Sequence, residues 1–380
     1  MDKNSVGETP ILSRREFLLV AAGLGSLALV AGCSSEPSVS RIKTRNSTAA
    51  LLDIIPDNYD PQLNLLKQYE NETGVAPIYI DFIGFPQNQA DALISAAAMA
   101  GELQTWHKSG TQPLIILEPT FNGGQDMMDL TAFNHGEYDD AVDTLFATLA
   151  ELGVTDEEMG TWVPFPEPNI PGWSDNNTDP SLFTQNVTKV AAVIKHRFPK
   201  TQVSIMLNSQ TSHKPNWSDA AMNPRLLVPY DNRFRGGLID SFGLQGFTWN
   251  NEDNPATFLS APAAMLGAEQ LGSKHIWFIT GTFSELNDPN GSGIIKSDNQ
   301  RRAAVLNGVL NQALAIQAAG YTVDYINIFG EDKLVYGSAG AGTANYRYDT
   351  PEALAVLREF VSTAKQHNIP VAIFDDANDL

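Results

Sequence analysis

From residue 50 onward, short apolar runs alternate with amphipathic helical patterns. Leu51–Ile55, Pro77–Phe82, Pro113–Glu118, Thr161–Phe165, Gln202–Leu207, Ser241–Phe247, His275–Thr280 and Val323–Ile328 read as strands. A run such as Leu114-Ile115-Ile116-Leu117 has no polar alternation, which marks a strand covered on both faces. The intervening segments carry the helical period. Near 138–152, Tyr138, Val142, Leu145 and Leu149 share one face, and Gly153 ends it. Near 181–198 the stripe is Phe183, Val187, Val190, Ile194 and Phe198. The last helix opens Thr350-Pro351-Glu352, a capping residue followed by proline in the first turn. Eight strands, each followed by a helix, point to a single (β/α)8 TIM barrel over residues 50–380. An open doubly wound sheet in two lobes is the other arrangement that such a pattern allows.

The segment before the domain is of another kind. Ser13-Arg14-Arg15-Glu16-Phe17-Leu18 precedes sixteen uncharged residues, Phe17 to Gly32. A membrane span needs about 20 apolar residues, whereas the core of a signal peptide is shorter. The paired arginines match a twin-arginine export address. Leu29-Val30-Ala31-Gly32-Cys33 resembles a bacterial lipobox, in which the cysteine is lipidated and becomes the first mature residue. Cys33 is the sole cysteine, so no internal disulfide is available. Residues 1–32 are therefore expected to be a signal peptide and 33–49, rich in Ser, Thr and basic residues, a flexible tether. The expected location is extracytoplasmic, on a membrane. Asp2, Glu8 and Glu16 offset Lys3, Arg14 and Arg15, so the rest of the chain keeps the full net charge of −20. That charge disfavours nucleic acid and anionic lipid as partners and suits a neutral or cationic ligand.

Sites on a TIM barrel form at the C-terminal ends of its strands. Just past the fourth run stands Phe165-Pro166-Glu167-Pro168-Asn169, with Trp173 beyond it. A carboxyl among prolines and apolar side chains can hold its proton near neutral pH, as the general acid of glycoside cleavage must. The plainer alternative is an exposed Glu in a proline-rich loop. Glu118 ends the third run and offers a second carboxylate, or a structural hydrogen-bond acceptor. Aromatic faces stack on sugar rings, and amides bond their hydroxyls. Trp173, Trp249, Asn169 and Asn208 fall near strand ends and are candidate substrate contacts, while Trp162, at a strand start, reads as core. The six histidines show no metal-ligand spacing, and no Gly-x-Ser-x-Gly elbow occurs. No cofactor or metal is expected.

From about 51 to 364 the chain resembles the family-26 glycoside hydrolases, the β-mannanases and their β-glucanase relatives. The pieces fall in order. Glu70-Asn71-Glu72-Thr73-Gly74 with Tyr79 to Phe85 is similar to the family's opening helix and second strand. Trp106-His107-Lys108-Ser109-Gly110 with Pro113 to Pro119 resembles its third strand, and His135-Gly136-Glu137-Tyr138-Asp139 its third helix. Val228-Pro229-Tyr230-Asp231 with Asp240, Gly243 and Phe247 resembles the approach to its sixth strand. Asn345-Tyr346-Arg347-Tyr348-Asp349 before Pro351-Glu352-Ala353-Leu354 resembles its closure. The resemblance implies that Glu167 is the acid/base, although the family's His-Glu-Met-Asn-Gly is here Pro166-Glu167-Pro168-Asn169-Ile170. It also implies a nucleophilic Glu on the seventh strand, where this chain has Gly281; Glu285, four residues on, is the nearest replacement. The implied partner is a β-linked polysaccharide or oligosaccharide of mannan or glucan type, cleaved or only bound. The Glu70–Gly74 stretch also resembles the early helix of substrate-binding lipoproteins of uptake transporters, which are two-lobed. Topology separates the two readings.

Overall fold

The computed structural model describes residues 68–121, 127–168, 180–209, 237–248, 259–287, 294–330 and 344–374. Its strands are β1 (Ala76–Phe85), β2 (Gln112–Phe121), β3 (Thr161–Pro164), β4 (Gln202–Asn208), β5 (Ser241–Phe247), β6 (His275–Gly281), β7 (Glu285–Asn287), β8 (Ile294–Lys296), β9 (Thr322–Phe329), β10 (Ala344–Asn345) and β11 (Val371–Phe374). Eight of them, in the order β1-β2-β3-β4-β5-β6-β9-β11, close into one parallel barrel, while β7, β8 and β10 make a small antiparallel sheet. A single closed ring is not the two-lobed arrangement, so the (β/α)8 expectation holds.

The composition of the ring differs from expectation at one place. Leu51–Ile55, expected as the first strand, lies outside the described residues, and the ring is complete without it. The place between β1 and β9 is held by β11, in register Ala76↔Ala372 and Ala372↔Asn327. The run expected as the second strand is thus the first of the ring. A four-residue apolar run with no helix after it gives no alternation from which to recognise it.

The helices are α1 (Gln89–Lys108), α2 (Leu130–Asn134), α3 (Asp139–Glu151), α4 (Asp156–Met159), α5 (Pro180–Arg197), α6 (Ala261–Leu271), α7 (Asn299–Ala318) and α8 (Pro351–Gln366). Local chemistry starts them where the sequence says. The side chains of Asn88, Asp298 and Thr350 accept from first-turn amides of α1, α7 and α8. Period-two alternation then sorts the strands into two cores. Outward residues such as Ile115, Val203, Phe242 and Ile328 pack against the helices. Inward residues such as Ile80, Ile116, Val163, Met206, Trp277 and Ile279 fill the barrel. Trp277 fits only because its neighbour in register, Gly243, has no side chain: a Cβ there would lie 2.3 Å from the indole. The indole Nε1 donates to Ser204 Oγ at 2.7 Å, so the largest interior side chain is also satisfied.

Candidate functional site

The end of β3 is made by prolines. Pro164, Pro166 and Pro168 lack the N–H that would continue the ladder. The segment instead bonds alternately to both sides: Phe165 N donates to Leu117 O, and Glu167 N to Met206 O, each at 2.9 Å. To do so, Phe165 and Glu167 adopt φ of 53° and 50°. Non-glycine residues in that region cost on the order of 1 kcal/mol or more each and persist where the surroundings over-determine them. The Phe165 ring is fixed between Phe85 and Phe133 at centroid distances of 4.9 and 5.2 Å.

This bend turns Glu167 into the barrel mouth, where it is 9% exposed. Asn208 Nδ2, from the end of β4, donates to its Oε1 at 2.5 Å, and Gln245 Nε2, from β5, to the same oxygen at 2.9 Å. Two donors occupy the lone pairs of Oε1, which leaves Oε2 as the oxygen that carries the proton of the acid form. Burial pushes the carboxyl up to about 7; the Asn208 amide opposes that shift, and the negative charge of Glu118 adds to it. Glu118 stands on β2, one residue past Leu117, whose carbonyl receives Phe165 N, so the two carboxyls come from adjoining strands.

Glu285 is on the small antiparallel sheet and not in the barrel ring. It lies on β7, with its carboxylate 2.8 Å from Lys296 Nζ. Gly281 does end β6, as the resemblance implies for the nucleophile strand, but the space beside it is filled. A Cβ there would meet Phe247 at 2.7 Å and Tyr346 at 2.9 Å. Phe247, Phe329 and Tyr346 form a ring cluster with centroids 5.2–5.8 Å apart. Asn169, Trp173, Trp249 and Cys33 lie outside the described residues. Trp162 is core, with its Nε1 bonded to Met159 O at 3.0 Å; Trp106 is also buried, stacked on Tyr79.

Asn208, expected as a sugar contact, donates to the Glu167 carboxyl. Gln245 was not expected at all. The available signal was its inward register: Gly243 and Phe247 face the barrel on the same strand, and Gln245 is the polar side chain between them. Among the described residues no cluster of three or more His, Cys, Asp or Glu is arranged to hold a metal.

No family model matches the chain, and no curated protein matches it either. Solved structures do. A fungal β-1,4-galactanase is 12% identical with a TM-score of 0.52, over 78% of this chain and 90% of that one. The family 1 β-glucosidase from Thermotoga maritima in complex with isofagomine lactam is 12% identical with a TM-score of 0.50, over 81% of this chain and 86% of that one. The chain shares the (β/α)8 barrel fold of these two structures. At such identity the likeness is one of fold, and the site must be argued from its own residues.

Proposed function

We propose that this is a carbohydrate-active barrel whose ligand is a β-linked glycan of mannan or glucan type, with Glu167 as the proton donor to a glycosidic oxygen. The carrying observation is the Glu167 carboxyl itself: buried, with Oε1 held by two amides and titrating near 7. A neutral acid whose proton sits on a defined oxygen can donate it as the C–O bond breaks. The glycosidase barrels that share the fold support the reading. Cleavage through a carboxylate on β6 is disfavoured by the closed space at Gly281. Glu118 is the better second carboxylate: it would take a proton from the water that adds to the anomeric carbon while Glu167 gives its own to the leaving oxygen. The test is a panel of β-mannans, β-glucans and their oligosaccharides with wild type, Glu167→Gln and Glu118→Gln. Glu167→Gln is expected to lower kcat by about 100-fold or more, the usual range for general acid catalysis. Failure of wild type to bind or cleave any member of the panel would remove the proposal.

The location belongs to the same proposal: export by the twin-arginine route and attachment through a lipid on Cys33. Lipid chains hold a protein at a membrane through buried methylenes. Cys33→Ser should therefore release the protein from the membrane fraction or leave it unprocessed. A variant that fractionates and is processed like wild type would count against the anchor.

A further inference from the structure

The interior of the barrel below Glu167 contains polar atoms that the acid does not use. Gln245 is 8% exposed and gives its Nε2 to Glu167 Oε1 at 2.9 Å, but its own Oε1 is buried and bonds nothing among the described residues. A carboxamide donates through its nitrogen and accepts through its oxygen, so the bond to Glu167 does nothing for that oxygen. Asn327 on β9 has no exposed surface, and among the described residues neither its Oδ1 nor its Nδ2 has a partner. Its flanking alternate residues, Tyr325 and Phe329, pack in the interior cluster, which places Asn327 on the inward face. The two amides share one level of the barrel. Gln245 is in register with Ile279 on one side, and Asn327 with Ile279 on the other. They therefore stand two strands apart, about 10 Å between backbones.

Leaving buried acceptors and donors unpaired is costly, and native interiors rarely do so. Gln245 Oε1 calls for a donor, and Asn327 offers a donor and an acceptor of its own. A hydroxyl is the group that both donates and accepts. We propose that Gln245 and Asn327 form a hydroxyl-binding floor beneath the acid, in which one O–H donates to Gln245 Oε1 and accepts from Asn327 Nδ2. The hydroxyl comes from a bound water or from a saccharide; this second source rests on the proposed function, the first does not. Because Gln245 also holds Glu167, occupancy of the floor bears on the amide that positions the acid.

The test is a structure of the full-chain protein at a resolution that shows water, free and with cellopentaose or mannopentaose. The expected result is an oxygen at about 2.7–3.2 Å from both Gln245 Oε1 and Asn327 Nδ2. A water there in both states identifies water as the source; a sugar hydroxyl replacing it identifies the glycan. If the oligosaccharides do not bind, the free structure still decides. Asn327→Leu, close in size and apolar, supplies a second readout. Loss of the hydroxyl should lower Tm by a few degrees if water fills the floor, or weaken oligosaccharide binding by about 10-fold if the sugar does. The proposal is overturned if Gln245 and Asn327 bond each other or other protein groups, if the floor is empty, or if Asn327→Leu changes neither Tm nor affinity.

Discussion

Glu167 shows how one buried carboxyl ties the stability of the fold to pH. Folding carries its carboxyl from an ordinary 4.5 to about 7, so the folded chain holds this proton more tightly than the unfolded chain does. The stability that this group contributes is then fully present below the unfolded value and is lost as pH rises from about 4.5 through 7. The gap corresponds to roughly 3 kcal/mol at most, an order-of-magnitude figure. Glu167→Gln keeps an oxygen for the Asn208 and Gln245 amides and cannot ionise. The variant is expected to match wild type in urea denaturation at pH 4 and to exceed it at pH 8. Equal pH dependence of the two proteins would show that Glu167 ionises freely in the folded state. The neighbouring seat at Gly281 shows the reverse economy. Phe247 and Tyr346 lie so close that a carboxylate side chain there must displace a ring, so Gly281→Glu is a disruption of the wall and not a restored nucleophile.

At the scale of elements, that wall is held by a clamp. Arg302 on α7 is 2% exposed, and its Nη2 donates to Tyr346 O and Arg347 O at 3.1 and 2.9 Å. Its guanidinium lies 3.9 Å over the Tyr348 ring. The segment after β10 thereby presses Tyr346 against Gly281. Arg302→Met keeps the stem but leaves two carbonyls without their donor. It should cost about 2–4 kcal/mol, read as a lower urea midpoint with unchanged slope. A cost within about 0.5 kcal/mol, the level of ordinary surface substitutions, would mean that the segment is held without it. None of this clamp was legible in sequence, because it joins residues more than forty positions apart through backbone carbonyls, which carry no side-chain signature. What periodicity does report, it reported well. The stripe Phe183, Val187, Val190 and Ile194 is buried on α5, and the run Leu114–Leu117 is a two-sided strand. Glu167 was legible from its proline neighbours. Its amide partners were harder to read: Asn208 could be placed at a strand end, but only the register of β4 and β5 shows that it and Gln245 converge on one oxygen.

The whole molecule depends on closing one ring, and the sequence offers two runs for one place. A strand preceding β1 would belong on the edge of β1 away from β2, where Leu51–Ile55 was expected. That edge is taken by β11, which pairs with β1 through Ala76↔Ala372 and Pro77↔Ile373 and with β9 from Val371↔Ile326 to Phe374↔Phe329. Ile373 and Phe374 are 0% and 1% exposed, so the strand also contributes to both cores. Without it, β1 and β9 become facing edges with unpaired amides and carbonyls, the feature that barrels exist to remove. Two truncations separate the candidates. A chain ending at Pro370 loses β11 and is expected to lose cooperative unfolding and to aggregate. A chain beginning at Pro56 lacks residues 1–55, Leu51–Ile55 among them, but retains all eight ring strands. It is expected to unfold cooperatively with a midpoint near that of the chain beginning at residue 50. If instead the chain ending at Pro370 stays folded and the one beginning at Pro56 does not, the ring closes through Leu51–Ile55, and the eight repeats of the sequence pattern are the eight strands of the barrel.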